Sequence, residues 1–201
     1  MEDVYKRPYD EDFPVVCMDE SPEQLIETVR EEKMEPGKDK RIDYEYIRHG
    51  VVMANEPLKG QRLVEITDLK KKEDWAKFVK RIADQIYPAA KRITLVMDNF
   101  KTHTIGAFYE TFEPVEAKRL VEKFEFIYTP KHGSWLNMSE IELHVLNSQC
   151  LRRHIATVED MRTEIKAWQE HRNNKDSKIN WQFKTEDARI KLKKLYPSFN
   201  G

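Results

Sequence analysis

Residues 91–100, KRITLVMDNF, constrain the fold more than any other stretch: an apolar run without polar alternation that ends in Asp98 and Asn99. Such a run reads as a strand buried on both faces, as in a sheet covered by helices. A second run, VVCMD over 15–19, also ends in an acid, Asp19. GVVMANEP and QRLVEIT read as two further strands joined by the turn PLKG. Over 72–86, Trp75, Phe78, Val79, Ile82 and Ile86 recur at helical spacing, and Pro88 stops that helix. Pro114 opens the next helix, PVEAKRLVEKF, and FEFIYTP is the following strand. Helical patterns then run over about 137–152 and 157–173, the second opened by Thr157 with Glu159 and Asp160 in its first turn. Residues 21–50 are polar, carry Pro22, Pro36 and Gly37, and predict a long, partly helical excursion; WQFKTEDARIKLKKLYP predicts one more short basic helix.

Strand, hairpin, helix, strand, helix, strand, then helices: this order indicates an α/β fold with a mixed sheet flanked by helices. A right-handed crossover between the hairpin and the strand ending at Asp98 lets that strand lie beside the first and parallel to it. Asp19 and Asp98 then share one sheet edge, on strands about 4.8 Å apart.

Composition narrows the classes. With 201 residues the chain suits one domain with short appendages. Charged residues make up 35% and hydrophobic ones 39%, which excludes both a disordered chain and a membrane protein. No run approaches the roughly 18 apolar residues of a membrane helix and the N-terminus has no apolar signal core, so a cytoplasmic location is expected. Cys17 and Cys150 lack metal or redox spacing and read as buried thiols. Residues 151–201 hold 12 Lys and Arg against 7 Asp and Glu, a basic balance that suits either a polyanionic partner or solvated helix faces.

Two bare carboxylates on neighbouring strands repel, and a divalent cation is the usual remedy. Hard oxygen donors suit Mg²⁺, with Mn²⁺ as a substitute. The stretch TPKHGSWLNMSEIELHVL, residues 129–146, runs from a Pro and Gly loop into a helix that carries Glu140 in its first turn. A third carboxylate delivered there completes a site for two ions about 4 Å apart, which activate a nucleophile on one side of a phosphodiester and stabilise the leaving oxygen on the other. Each acid also has an ordinary reading, as a turn or cap residue after a strand or as a helix first-turn acid. Glu20 competes with Asp19 and Glu142 with Glu140, and because neighbouring strand residues face opposite sides and helix positions two apart diverge by roughly 200°, only one of each pair can line a site.

Residues from about 14 to 155 resemble the catalytic domain of DDE-superfamily transposases, in the bacterial insertion-sequence branch related to mariner elements. The resemblance rests on VVCMDE, YEYIRHG, NEPLKGQRLVEIT, ITLVMDNFKTH and FEFIYTPKHGSWLNMSEIELHVLNSQCLRRHI. It implies a ribonuclease H-like fold and places Asp19, Asp98 and Glu140 in the three acidic, metal-holding roles. It further implies metal-dependent hydrolysis at transposon ends followed by attack of the freed 3′-hydroxyl on target DNA, both in-line displacements at phosphorus. Asn99 and His103 match a motif position and either orient a carboxylate or touch a phosphate, or are a turn Asn and a surface His. Asn137 caps the helix carrying Glu140, with Trp135 packed beneath it or stacked on a base. Lys131, His132, Arg152 and Arg153 are candidate phosphate contacts or solvated charges.

The implied partners are DNA, as transposon ends and target duplex, and a homodimer in the DNA complex. Residues 1–13 form an extension, 14–155 the catalytic domain and 156–201 basic helices packed on it or extending it. The strand after Gly50 is a few residues shorter than the family pattern. Nothing before Asp19 is long enough for the helix-turn-helix that reads transposon ends in the family. The chain is thus expected to be a catalytic half, as a fragment, a truncated copy or one product of a split frame, with end recognition supplied by a separate chain or missing domain. Two rival readings are a non-catalytic DNA-binding or assembly protein derived from a transposase, and another ribonuclease H-like nuclease such as a junction resolvase.

Overall fold

The computed structural model describes residues 2–31, 42–67, 71–99, 103–130, 133–153, 155 and 157–178. Its frame is a mixed sheet of β1 (Val15–Glu31), β2 (Ile42–Glu56), β3 (Gln61–Thr67), β4 (Ile93–Met97) and β5 (Phe124–Tyr128), in the order β3-β2-β1-β4-β5. β1, β2 and β3 form an antiparallel meander, whereas β4 is parallel to both β1 and β5. Parallel neighbours need crossovers: α1 (Lys72–Arg81) lies between β3 and β4, and α2 (Ile105–Thr111) and α3 (Pro114–Lys123) lie between β4 and β5. α4 (Met138–Leu146) and α5 (Val158–Asn174) follow.

Strand alternation sends alternate side chains to two helical layers. On one face Val16 and Met18 of β1, Val52 and Ala54 of β2, and Ile93, Leu95 and Met97 of β4 meet Trp75, Phe78 and Val79 of α1, Phe108 of α2 and Leu120 of α3. On the other, Val51, Met53 and Val64 meet Leu143 and Leu146 of α4 and Met161, Ile165 and Trp168 of α5. Beside that second cluster, Val15, Cys17 and Val96 pack against Met138 and against Val4 and Tyr5 of a 3₁₀ helix, Glu2–Lys6. Each fully buried aliphatic side chain of this kind contributes about 1.5–3 kcal/mol. Both cysteines are buried and free.

The helices form where local chemistry favours them. α1 has Glu73 and Asp74 in its first turn and Lys80 and Arg81 in its last, matching the helix dipole, and its apolar stripe continues into a π-helical turn, Ile82–Ile86. Pro114 opens α3, and Thr157 caps α5 by accepting from the Asp160 amide at 3.1 Å. Gly60 takes φ +79 in the β2–β3 turn, and a Cβ there would lie 2.8 Å from the Asp176 carbonyl carbon, so the turn needs glycine on both counts.

Three expectations change. Residues 21–31 and 42–50 are not a partly helical excursion: β1 and β2 continue as a long antiparallel ladder, with Pro22 opposite Gly50 and Glu27 opposite Glu45. β-favouring residues pair across this ladder, Leu25 with Ile47, Ile26 with Tyr46 and Thr28 with Tyr44, which outweighs their polar neighbours. The strand expected to begin after Gly50 begins earlier: β2 spans 15 residues with Gly50 inside it. α2, absent from the pattern reading, is only 7 residues long, too short to show a helical period. The helix expected over 181–197 lies outside the described residues. Among the described residues no helix is long and apolar enough to cross a membrane.

Candidate active site

The β1–β4 ladder pairs Val15 with Thr94, Val16 with Leu95 and Cys17 with Val96. Asp19 and Asp98 each lie two residues beyond the last pair, at matching positions along the two chains; Asp19, still within β1, shares the face of Cys17. That face is the one on which Met138, the first residue of α4, packs.

The Trp-Leu-Asn-Met-Ser-Glu stretch fixes the mouth of α4 against this edge. Asn137 is fully buried; its side-chain oxygen accepts from the Ser139 amide at 3.1 Å and its amide nitrogen donates to the Met18 carbonyl at 2.7 Å. One residue therefore caps α4 and ties it to the backbone immediately before Asp19. Ser139 Oγ donates to Asn55 Oδ1 on β2 at 2.6 Å, and Tyr5 Oη donates to the Leu136 carbonyl at 2.8 Å. Glu140, half-buried, follows in the first turn. The competing Glu142 is directed elsewhere: it is 2% exposed and bound by Arg62 and Arg172.

The electrostatics link the three acids. Burial lifts the Asp19 carboxyl to about 6; a hydrogen bond from the Glu20 amide at 2.8 Å opposes the rise, and the charges of Asp98, Glu140 and Glu20 add to it. His103, for which a carboxylate-orienting role and a surface position were both open, is buried. Its Nδ1 lies 2.7 Å from Asp98 Oδ1 and its Nε2 3.4 Å from Glu20 Oε1, while its ring stacks on Trp75 at 5.7 Å. Burial works against a charged imidazole, but the hydrogen bonds and charges of Asp98 and Glu20 outweigh it and raise His103 to about 9. Glu20 thus joins the site from the opposite face of β1. Strand alternation alone hides that role, because the imidazole that bridges to it comes from the segment after β4.

Asn99 is exposed beside Asp98, and Trp135 is half-buried in a 3₁₀ turn, Ser134–Leu136. Lys131 and His132 lie outside the described residues. The two arginines separate: Arg152 lines a shallow groove with Ser21, His144 and Ser148, whereas Arg153 forms an ion pair with Glu164 on α5. Ser21 follows Asp19 by two residues on β1 and His144 follows Glu140 by one helical turn, so the groove leads away from the acids.

Asp19, Asp98 and Glu140 offer hard oxygen donors, the kind that suits Mg²⁺ or Mn²⁺. Asp98 Oδ1 is buried and already engaged, 2.7 Å from His103 Nδ1. Among the described residues no three His, Cys, Asp or Glu side chains are closed around a metal-sized gap.

The family described as DDE superfamily endonuclease matches residues 14–162. No curated protein matches the chain. Among solved structures, the Mos1 transposase paired-end complex with left transposon end is similar at TM-score 0.56 and 12% identity, over 82% of this chain and 50% of that one. The Mos1 strand transfer complex is similar at TM-score 0.55 and 13% identity, over 89% and 59%. The mariner Mos1 paired-end complex with Mg is similar at TM-score 0.55 and 14% identity, over 87% and 52%. The chain spans about half the length of these structures, and at such identities the likeness is one of fold, the ribonuclease H-like mixed sheet flanked by helices.

Proposed function

The chain belongs to the DDE superfamily endonuclease family, and from that membership we propose that it is a transposase catalytic domain that cleaves DNA phosphodiesters at transposon ends and joins them to target DNA. The observation that carries this reading is that Asp98, immediately after β4, and Glu140, in the first turn of α4, are both near enough for their charges to raise the Asp19 carboxyl at one edge of the sheet.

Asp19, Asp98 and Glu140 are the residues that would hold Mg²⁺ or Mn²⁺. Two such ions would supply charge stabilisation at phosphorus and an activated nucleophile. The protein's own part is placement. β1 and β4 set the two aspartates at one register, Asn137 seats Glu140 beside them, and His103 holds Asp98 from behind while Glu20 holds His103. Arg152, at the groove beside Glu140, attracts the phosphate backbone without reading bases. The reaction is an in-line displacement in which the P–O bond to the leaving 3′-oxygen breaks as water, and later a DNA 3′-hydroxyl, attacks. In this reading residues 14–155 form the catalytic unit and act on chromosomal DNA in the cytoplasm, with α5 packed against β3 as part of the working structure.

Nicking of supercoiled plasmid in millimolar Mn²⁺ tests this directly. The parent is expected to nick, chelation to stop it, and Asp98→Asn to lower the rate by at least about a hundredfold, more than loss of a residue that merely supports a metal ligand. A parent that binds DNA without nicking, under conditions where a full-length relative is active, overturns the reading and leaves a DNA-binding protein.

A further inference from the structure

We infer that the buried ion cluster Arg62–Glu142–Arg172 is a positioning device through which α5 sets the seat of Glu140; this rests on the proposed role of Glu140 in cleavage. The Arg62 and Glu142 side chains are 1% and 3% exposed. Arg62 Nε donates to Glu142 Oε2 at 2.6 Å and its Nη2 to Oε1 at 3.0 Å, a fork-to-fork pair. From the other side Arg172 Nη2 donates to both carboxylate oxygens, at 2.9 and 3.1 Å, with its guanidinium over the Trp168 ring. Both lone-pair sides of Glu142 are thus occupied.

The cluster is itself anchored. β3 is an edge strand, and α5 covers that edge with side-chain amides: Asn173 accepts from the Arg62 backbone amide at 2.9 Å and donates to the Arg62 carbonyl at 3.0 Å, and Gln169 accepts from the Val64 amide at 2.7 Å. Arg62 Nη1 also donates to the Gly60 carbonyl at 2.7 Å. Arg62 is held by β3 and Arg172 by α5, so Glu142 meets two fixed donors.

Glu142 lies two residues after Glu140, roughly 200° around α4. Asn137 pins the start of the helix to β1, and the cluster pins its far side to β3 and α5. Two attachments on opposite flanks fix both the rotation and the advance of α4, which one cap cannot do. For stability alone this is an expensive device: a well-packed apolar trio of similar volume is commonly as stable or more so, and the best-attested use of buried ionic groups is to set register.

Arg172→Ala, Arg172→Lys and Ile165→Ala separate positioning from plain stability, because Ile165 is buried on the same helix, seven residues before Arg172, and its apolar side chain makes none of the cluster's hydrogen bonds or ion pairs. In Arg172→Ala, hydrogen exchange at the Glu140 and Ile141 amides is expected to quicken about tenfold while β4 amides hold. Mn²⁺ affinity and kcat for nicking are expected to fall about tenfold or more, with KM for DNA unchanged. Arg172→Lys is expected to recover most of the loss, and Ile165→Ala to lower the melting temperature without these effects. If Arg172→Ala does not fold, Arg172→Gln is read in the same way. Wild-type Mn²⁺ affinity and kcat in the folded variant, or the same losses in Ile165→Ala, overturn the inference. A parent that neither binds Mn²⁺ nor nicks overturns the proposed function instead, and exchange at α4 then decides the clamp alone: selective loosening upholds it, uniform or absent loosening does not.

Discussion

Replacing Glu140 by Gln is expected to remove nicking, by at least about a hundredfold, while DNA affinity holds or rises. The amide keeps the shape of the side chain and its place on α4, but it withdraws a negative oxygen from the metal-holding set and one like charge from beside the phosphates. Arg152→Ala is expected to do the reverse: weaker binding to every sequence, a salt slope shallower by about one charge, and chemistry per bound complex retained. Arg153→Ala is expected to change little, because Arg153 is engaged with Glu164. Loss of binding in Glu140→Gln, or full nicking by it, contradicts the assignment.

The second large effect couples pH and metal through Asp19. Its carboxyl titrates near 6 in the folded protein, above its ordinary value of 3.8. Between those pH values the native state therefore holds more protons than the unfolded one, so metal-free stability falls as pH rises from about 4 to 6 and the penalty is complete above that. Asp19→Asn is expected to raise the melting temperature at pH 7.5 in chelator and to do little at pH 4. Mn²⁺ at a hundredfold excess over Kd is expected to stabilise the parent by about 2.7 kcal/mol at pH 7.5. Far less gain is expected below pH 5, where Asp19 is protonated, and in Asp98→Asn at any pH. Equal Mn²⁺ shifts in the parent and Asp98→Asn, followed by differential scanning calorimetry, would count against a shared site.

What could be read in advance follows from how local the governing physics is. The apolar runs ending at Asp19 and Asp98, the PLKG turn and the Asn137 cap are short-range signals, and the crossover rule carried the two aspartates onto neighbouring parallel strands. Periodicity separates Glu140 from Glu142 without saying which flank meets β1, and the family resemblance is what selects Glu140. Arg62 and Arg172 hold Glu142 on the far flank, and they come from segments 80 and 30 residues away from it. The burial of His103 was illegible for a related reason: its stacking on Trp75 and its two carboxylate contacts all cross between elements. The long β1–β2 ladder was hidden by polar composition, since a strand whose backbone is satisfied by a neighbour does not need an apolar sequence.

The central claim is that Asp19, Asp98 and Glu140 form one metal-holding centre, and anomalous diffraction from crystals soaked in Mn²⁺ tests it most directly. Manganese peaks bounded by carboxylate oxygens of all three residues, at about 2.2 Å and absent from Asp98→Asn crystals, are the predicted result. Manganese bound elsewhere, or bound by the aspartates with Glu140 turned away, would contradict it.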